Sequence, residues 1–394
     1  MYEIGSEFSF ERINERENLL EVFSRISEKN KKSIEFLRCG RDAIGFVCDD
    51  IIAKNDKGVA FIPALSCDSM VKPFEVRGFE TIFYKLCEGL VTDDAYLIGE
   101  IEKALSDGRC KEENITVLLM NFFGAADISK TAAELKAKFP KLTIIEDVTH
   151  IIMEIERYLG SENDSADYVV GSLRKWMGIP DGAIAAGKNE FLMGALTGDT
   201  DFVSLRMQAL NEKSDYLKNG GEDLKAHFRS LLSDAEDSLN DGLDPYIMSD
   251  ISADYLSCID ILSICEKRDN NYDNLCAFLK DLPLSGKAFH LLPSKKDENY
   301  TAFMLPIILD IDFMRRSAIT DEGKNITRDE FEKRLAKNGI YAPVLWPISQ
   351  EAADICKVSK DFSENMLTFW IDQRYDRFDM EQISKVLMHE LSVL

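Results

Sequence analysis

Apolar residues recur along the chain in two periods, and their alternation predicts a layered α/β protein. From Gly40 to Lys54, Ile44, Val47, Cys48, Ile51 and Ile52 return at helical spacing behind a small Cys39-Gly40 start, which predicts a helix with a free N-terminus. Strand-like runs follow at Val59 to Leu65, Thr81 to Leu86, Ile115 to Phe123, Leu142 to Val148, Tyr168 to Leu173 and Ala183 to Ala186. Between them, Asp93 to Leu105 sets Ala95, Ile98, Ile101 and Leu105 on one helical face, and Lys130 to Phe139 does the same with Ala132, Leu135 and Phe139. Strands and helices in this alternation predict a mostly parallel sheet with helices on both sides. Such sheets bind ligands beyond the carboxyl ends of their strands, so the loops entering helices are where chemistry is sought.

The flanks are patterned differently. Residues 1–35 are charged and weakly periodic, as in an arm or leading helix. Beyond residue 190 come long polar helical stretches, Asp201 to Leu239 and Ile247 to Leu282, broken at Gly220-Gly221 and Asp241-Gly242. A mixed segment ends the chain: a strand at Ala302 to Leu309, a helix at Arg328 to Asn338, short strands near Ile340 to Leu345 and Leu367 to Ile371, and a helix from Asp379. With 394 residues, more than one core usually organises, the expected division is an arm (1–35), a large domain (36–262) and a smaller α+β domain (263–394).

Composition narrows the function. Seventy acidic against 47 basic side chains leave a net charge of -23, which disfavours nucleic acid and anionic membranes as partners. Nine scattered cysteines without a CxxC pair signal neither a disulfide framework nor zinc, and a reduced, cytoplasmic setting is expected with no metal. The start carries Glu3 and Glu7 where an export signal has basic residues, and no stretch reaches the roughly 18 apolar residues of a membrane span.

Three segments carry candidate chemistry. Leu142 to His150 reads as a buried strand ending in Glu146 and Asp147, with His150 three residues on. A carboxylate there needs a cationic or hydrogen-bonding partner, for which a protonated pyridine nitrogen would serve; capping the following amides is the alternative. In Asp167 to Trp176, Lys175 stands in a polar turn between two buried strands, where a low dielectric lowers an amine's pKa and makes it a nucleophile. Ser172 and Arg174 beside it are phosphate-binding types, although most lysines are solvated surface groups. Arg38-Cys-Gly-Arg-Asp-Ala43 opens the first helix, and Gly40 there would let a phosphate approach the unpaired amides; a plain turn is the alternative.

Together these segments resemble the fold-type-I pyridoxal-phosphate family, and within it the DegT/DnrJ type of sugar aminotransferases. Arg38 to Ala43 resembles that family's small-Gly-x-Asp-Ala loop, Phe61 to Cys67 and Gly78 to Tyr84 its next strands, Glu146 to His150 its Glu-Asp-x-x-His, and Ser172 to Lys175 the Ser-x-x-Lys of the wider class. Arg268 to Tyr272 and Gly339 to Trp346 resemble its linker helix and small domain. The resemblance implies the aspartate-aminotransferase fold and pyridoxal 5'-phosphate held by Lys175 as a Schiff base. It implies Asp147 on the pyridine nitrogen, His150 and Asn121 near the phenolic oxygen, and Gly40, Arg41, Ser172 and Arg174 at the phosphate. Arg374, in Trp370 to Tyr375, is a candidate for a substrate carboxylate, with a surface ion pair as its alternative.

The resemblance further implies a homodimer and an amino transfer from an amino acid donor to a keto acceptor, such as a nucleotide-linked sugar. A lyase or dehydratase reaction on the same cofactor, or a scaffold without catalysis, are the competing readings. Three departures stand out: Cys67 falls where many of these enzymes have an aromatic ring against the cofactor, Ser172 precedes the lysine by three residues rather than five, and Ile179-Pro-Asp-Gly182 replaces a glycine-rich stretch.

Overall fold

The computed structural model describes residues 3–8, 19–160, 164–198, 200–241, 244–292 and 300–394. Twelve strands follow in chain order: β1 (Ser33–Leu37), β2 (Val59–Pro63), β3 (Glu80–Tyr84), β4 (Leu86–Cys87), β5 (Val91–Thr92), β6 (Ile115–Met120), β7 (Thr143–Asp147), β8 (Tyr168–Ser172), β9 (Ala183–Gly187), β10 (Phe289–Leu291), β11 (Met304–Leu309) and β12 (Met366–Trp370).

Seven of these form one sheet in the order β1-β9-β8-β7-β6-β2-β3. All run parallel except β9, which is antiparallel to both β1 and β8. Every residue of β2, β6, β7, β8 and β9 is buried. Helices cover both faces, which is why these strands read as unbroken apolar runs instead of alternating ones.

The helix Gly40–Lys54 falls where the periodicity places it. It buries Ala43, Ile44, Phe46, Val47, Cys48 and Ile51, and each large apolar side chain so buried contributes about 1.5–3 kcal/mol. The helices Asp94–Ser106 and Ile128–Lys138 lie within two residues of expectation, and the polar stretch after residue 190 folds as an antiparallel pair, Thr200–Asn219 and Glu222–Asp241.

Two expectations need correcting. The leading segment holds the expected helix, Leu19–Asn30, whose Leu19, Val22, Phe23 and Ile26 join the large core, but also a strand that was not expected, β1, which pairs with β9. The short strand expected at Ile340 to Leu345 is instead extended chain, bridged only at Ile340 to Ile4. Pro343 has no amide to give a ladder, and its carbonyl is taken by the amide and hydroxyl of Thr368.

A second core gathers around the antiparallel sheet β10-β11-β12, with the helices Ile261–Lys280, Arg328–Lys337 and Arg377–Ser392. The N-terminal segment is tied to this unit. Ile4 exchanges backbone hydrogen bonds with Gly339 and Tyr341, and the buried Glu3 carboxylate meets Lys213 at 2.5 Å and Lys225 at 2.8 Å. No helix among the described residues is long and apolar enough to cross a membrane, and no group of three metal-ligating side chains is found among them.

Candidate active site

The carboxyl ends of β1, β6, β7 and β8 converge with the helix Gly40–Lys54 on one cavity. Its lining includes Gly40, Arg41, Cys67, Met120, Asp147, Thr149, Ser172, Arg174, Lys175 and Trp346. Strand register explains part of this convergence: Asp147 ends β7 directly between Met120 of β6 and Val170 of β8, both on the lining. Lys175 follows three residues after β8, in a turn closed by the amides of Leu173 and Arg174 on the Gly182 carbonyl. The acid and the amine that the sequence singled out therefore share one pocket.

Asp147 is 5% exposed, and its Oδ1 accepts the Thr149 amide at 2.9 Å. Burial pushes its carboxyl above the ordinary range, against the opposing pull of the Thr149 bonds and the Lys175 charge. Lys175 is half-buried and makes no hydrogen bond or ion pair with the described residues, its ammonium facing the Trp346 ring at 5.9 Å from the centroid. The acid thus lacks a close cationic partner and the amine lacks a close acid, an arrangement suited to a ligand that supplies both.

On the same cavity the helix Gly40–Lys54 presents a start without a side-chain cap: Cys39, its N-cap, makes no capping bond. The first amides of a helix have no internal partner and sit in a positive field. Ser172, 2% exposed, turns a hydroxyl without a partner towards this end, and a side chain added at Gly40 would stand 3.4 Å from Ser172 Cβ and 4.0 Å from its Oγ. Arg41 and Arg174 lie on the same lining, and Arg41 donates to the Leu239 carbonyl at 2.8 Å. An unsatisfied hydroxyl, free helix amides and the space left by a glycine form an anion cradle.

Arg174 is otherwise engaged. It grips Glu236 of the helix Glu222–Asp241 at 2.5 and 3.1 Å, and Arg206 shares that carboxylate at 3.0 Å. Burial opposes its ionisation, but the neighbouring Arg174 and Arg206 hold Glu236 down to about 2.

Three sequence candidates stand apart from the cavity lining. Asn121 gives its side-chain amide to the Ala126 carbonyl at 2.7 Å and the Tyr158 hydroxyl at 3.1 Å. His150 is stacked between Phe303 at 4.5 Å and Phe123 at 4.7 Å. Burial, and then the Lys175 charge, keep its pKa well below the usual value, and its Nδ1 accepts the Phe123 amide. Arg374 is bound bidentately by Asp372 at 2.7 and 2.8 Å, donates to the carbonyls of Ser6 and Glu7, and lies over the Phe8 ring. It secures the N-terminal segment instead of offering a fork to a carboxylate.

Residues that the sequence reading passed over complete the pocket. Thr149 joins three of its segments: its amide to Asp147, its Oγ1 to the Ser172 amide at 3.2 Å, and its carbonyl to the Trp176 indole at 2.7 Å. An Asp-x-Thr step is itself a turn signal. The Trp176 carbonyl is held by the fully buried Arg268 at 3.2 Å and by Gln373 at 2.8 Å, so the second core fixes the backbone beside Lys175. Trp346, flanked at a short distance by Pro343 and Pro347, arrives from the extended segment that was expected as a strand.

Comparison with solved structures shows where this fold has been seen before. A DegT DnrJ EryC1 StrS aminotransferase from Brucella abortus superposes with a TM-score of 0.59, at 14% identity, over 95% of this chain and 91% of that one. Helicobacter pylori PseC, an aminotransferase of pseudoaminic acid biosynthesis, gives 0.63 at 12% identity with both chains fully covered. The candidate sugar aminotransferase Spr1654 of Streptococcus pneumoniae, in its PLP form, gives 0.60 at 14% identity over 97% and 93%. The chain shares the fold of these structures. No protein-family model matches it, and no curated protein matches it by sequence. The fold expected from the motifs, a sheet-centred large unit with a smaller C-terminal one, is thus the fold observed.

Proposed function

We propose that the protein is a pyridoxal-phosphate-dependent aminotransferase that moves an amino group from an amino acid to a keto acceptor, with a nucleotide-linked sugar as the acceptor class. The observation that carries this reading is the shared cavity: a buried acid without a cationic partner, an amine without an acid, and an anion cradle, on one pocket of the right fold. Each of these three is a group that the cofactor would satisfy. The neighbour Spr1654, in its PLP form, supports the same reading.

When bound, pyridoxal phosphate supplies an aldehyde that condenses with amines and a protonated ring that withdraws electrons. The chain's own groups do the rest. Gly40, Ser172 and the first amides of the helix Gly40–Lys54 hold the phosphate, with Arg41 beside them. Asp147 stays ionised against a pyridinium and so keeps that nitrogen protonated. Lys175 would hold the cofactor through its amine and would serve as the general base that takes a proton from the substrate's α-carbon and returns it. Trp176, locked through Arg268, Gln373 and Thr149, fixes the backbone that carries this amine.

The test is reconstitution with pyridoxal phosphate, borohydride reduction and peptide mapping, followed by a panel of amino acids. The expected result is a label on Lys175, its loss in Lys175→Ala, and conversion of the cofactor to its pyridoxamine form by one amino donor such as glutamate. A label elsewhere, or no label, would overturn the catalytic assignment.

A further inference from the structure

We infer that Trp346 supplies the aromatic face against which the cofactor ring lies, in place of the ring that Cys67 cannot provide. The inference rests on the cofactor reading above and deepens it.

Trp346 is the one aromatic side chain on the cavity lining among the described residues. The other rings nearby, Phe122, Phe123, Phe303 and Trp176, are buried behind the wall. Cys67 lies on the same lining, at the start of the helix Asp68–Glu75, and offers a thiol with no flat surface. The Trp346 centroid is 5.9 Å from Lys175 Nζ, and aromatic pairs interact at centroid separations of about 4.5–7 Å. A ring joined to that nitrogen is therefore tethered within reach of the indole.

The indole is also held in place. The Trp346 carbonyl accepts the Ser363 hydroxyl at 2.6 Å, and the indole packs near His150 at 5.8 Å and Phe122 at 6.3 Å. His150 thus acts one layer back, as a buttress to Trp346. An electron-rich indole suits an electron-poor pyridinium, and the Gly339–Trp346 segment carries it onto the large core.

The chain has three tryptophans, 176, 346 and 370, which makes the test direct. Pyridoxal phosphate is titrated into Trp346→Leu, Trp346→Phe and Trp370→Phe, with the dissociation constant and indole fluorescence read together. A stacking contribution of about 0.5–1.5 kcal/mol corresponds to about 2- to 12-fold in affinity. Trp346→Leu should weaken binding by about fivefold, while Trp346→Phe stays within about twofold. Cofactor-induced quenching of indole emission should shrink in Trp346→Phe and persist in Trp370→Phe. Trp346 is only partly buried, and circular dichroism confirms that each variant is folded before titration. Binding by Trp346→Leu as tight as or tighter than wild type would overturn the inference, since the indole would then be neutral or a plug. A wild-type protein that binds no pyridoxal phosphate would overturn the cofactor reading beneath it, which is a separate outcome.

Discussion

Replacing Asp147 with asparagine separates a waiting acid from a structural cap. The side chain is 5% exposed and accepts the Thr149 amide, a bond that asparagine Oδ1 can keep. Burial raises the carboxyl above its ordinary 3.8, so the folded protein without cofactor binds a proton more readily than the unfolded chain in the interval above 3.8. Stability therefore falls as pH rises through that interval, and the cost persists at neutral pH. The Lys175 charge offsets part of the burial cost. Asp147→Asn should accordingly stabilise the cofactor-free protein at pH 7, with the advantage shrinking as the pH approaches 4. With pyridoxal phosphate present the order should reverse. Losing a hydrogen bond to a charged group costs about 1.5–3 kcal/mol, or roughly 10- to 150-fold in cofactor affinity. Urea unfolding at pH 4 and pH 7, with and without cofactor, measures all four quantities. A cofactor-free Asp147→Asn protein that is less stable than wild type at pH 7 would refute the reasoning and return Asp147 to the role of a cap.

Two further outcomes test the surroundings. Gly40→Ala places a methyl 3.4 Å from Ser172 Cβ, an ordinary contact, so stability should hold or rise by up to about 1 kcal/mol with the better helix former, while the stabilisation conferred by inorganic phosphate in a thermal melt should fall. Glu3 is held down to about 2, burial opposing and Lys213 and Lys225 prevailing, so its contribution is present above the ordinary 4.5 and lost as pH falls towards 2. Glu3→Gln should remove that contribution at neutral pH and cost about 3 kcal/mol in urea unfolding, because two lysines keep their charge beside a neutral amide.

What the sequence disclosed, and what it withheld, divides along a physical line. The helix Gly40–Lys54 and the buried strands were legible because a residue covered on every side must be apolar, and the period of that requirement is written in the chain. β1 was not, because in Ser33–Leu37 only Leu37 is fully buried and a charged Glu35 interrupts the run at the sheet's edge. The acid and the lysine were legible for a related reason. A carboxylate closing an apolar strand and an amine between two such strands are costly to bury, so their mere presence there calls for a partner. Side-chain direction carries no such signature. Asn121 has the composition of a ligand, yet the turn through Phe123 and Gly124, both at positive φ, is followed by the Ala126 carbonyl that its amide meets. Arg374 has the right chemistry for a carboxylate, and it finds one two residues away in Asp372. Trp346 stands at the opposite extreme, 171 residues beyond the lysine it faces and in a segment without regular structure. It packs against the large core from a segment far along the chain, and no local pattern of apolar and polar positions encodes a contact between residues so distant in sequence.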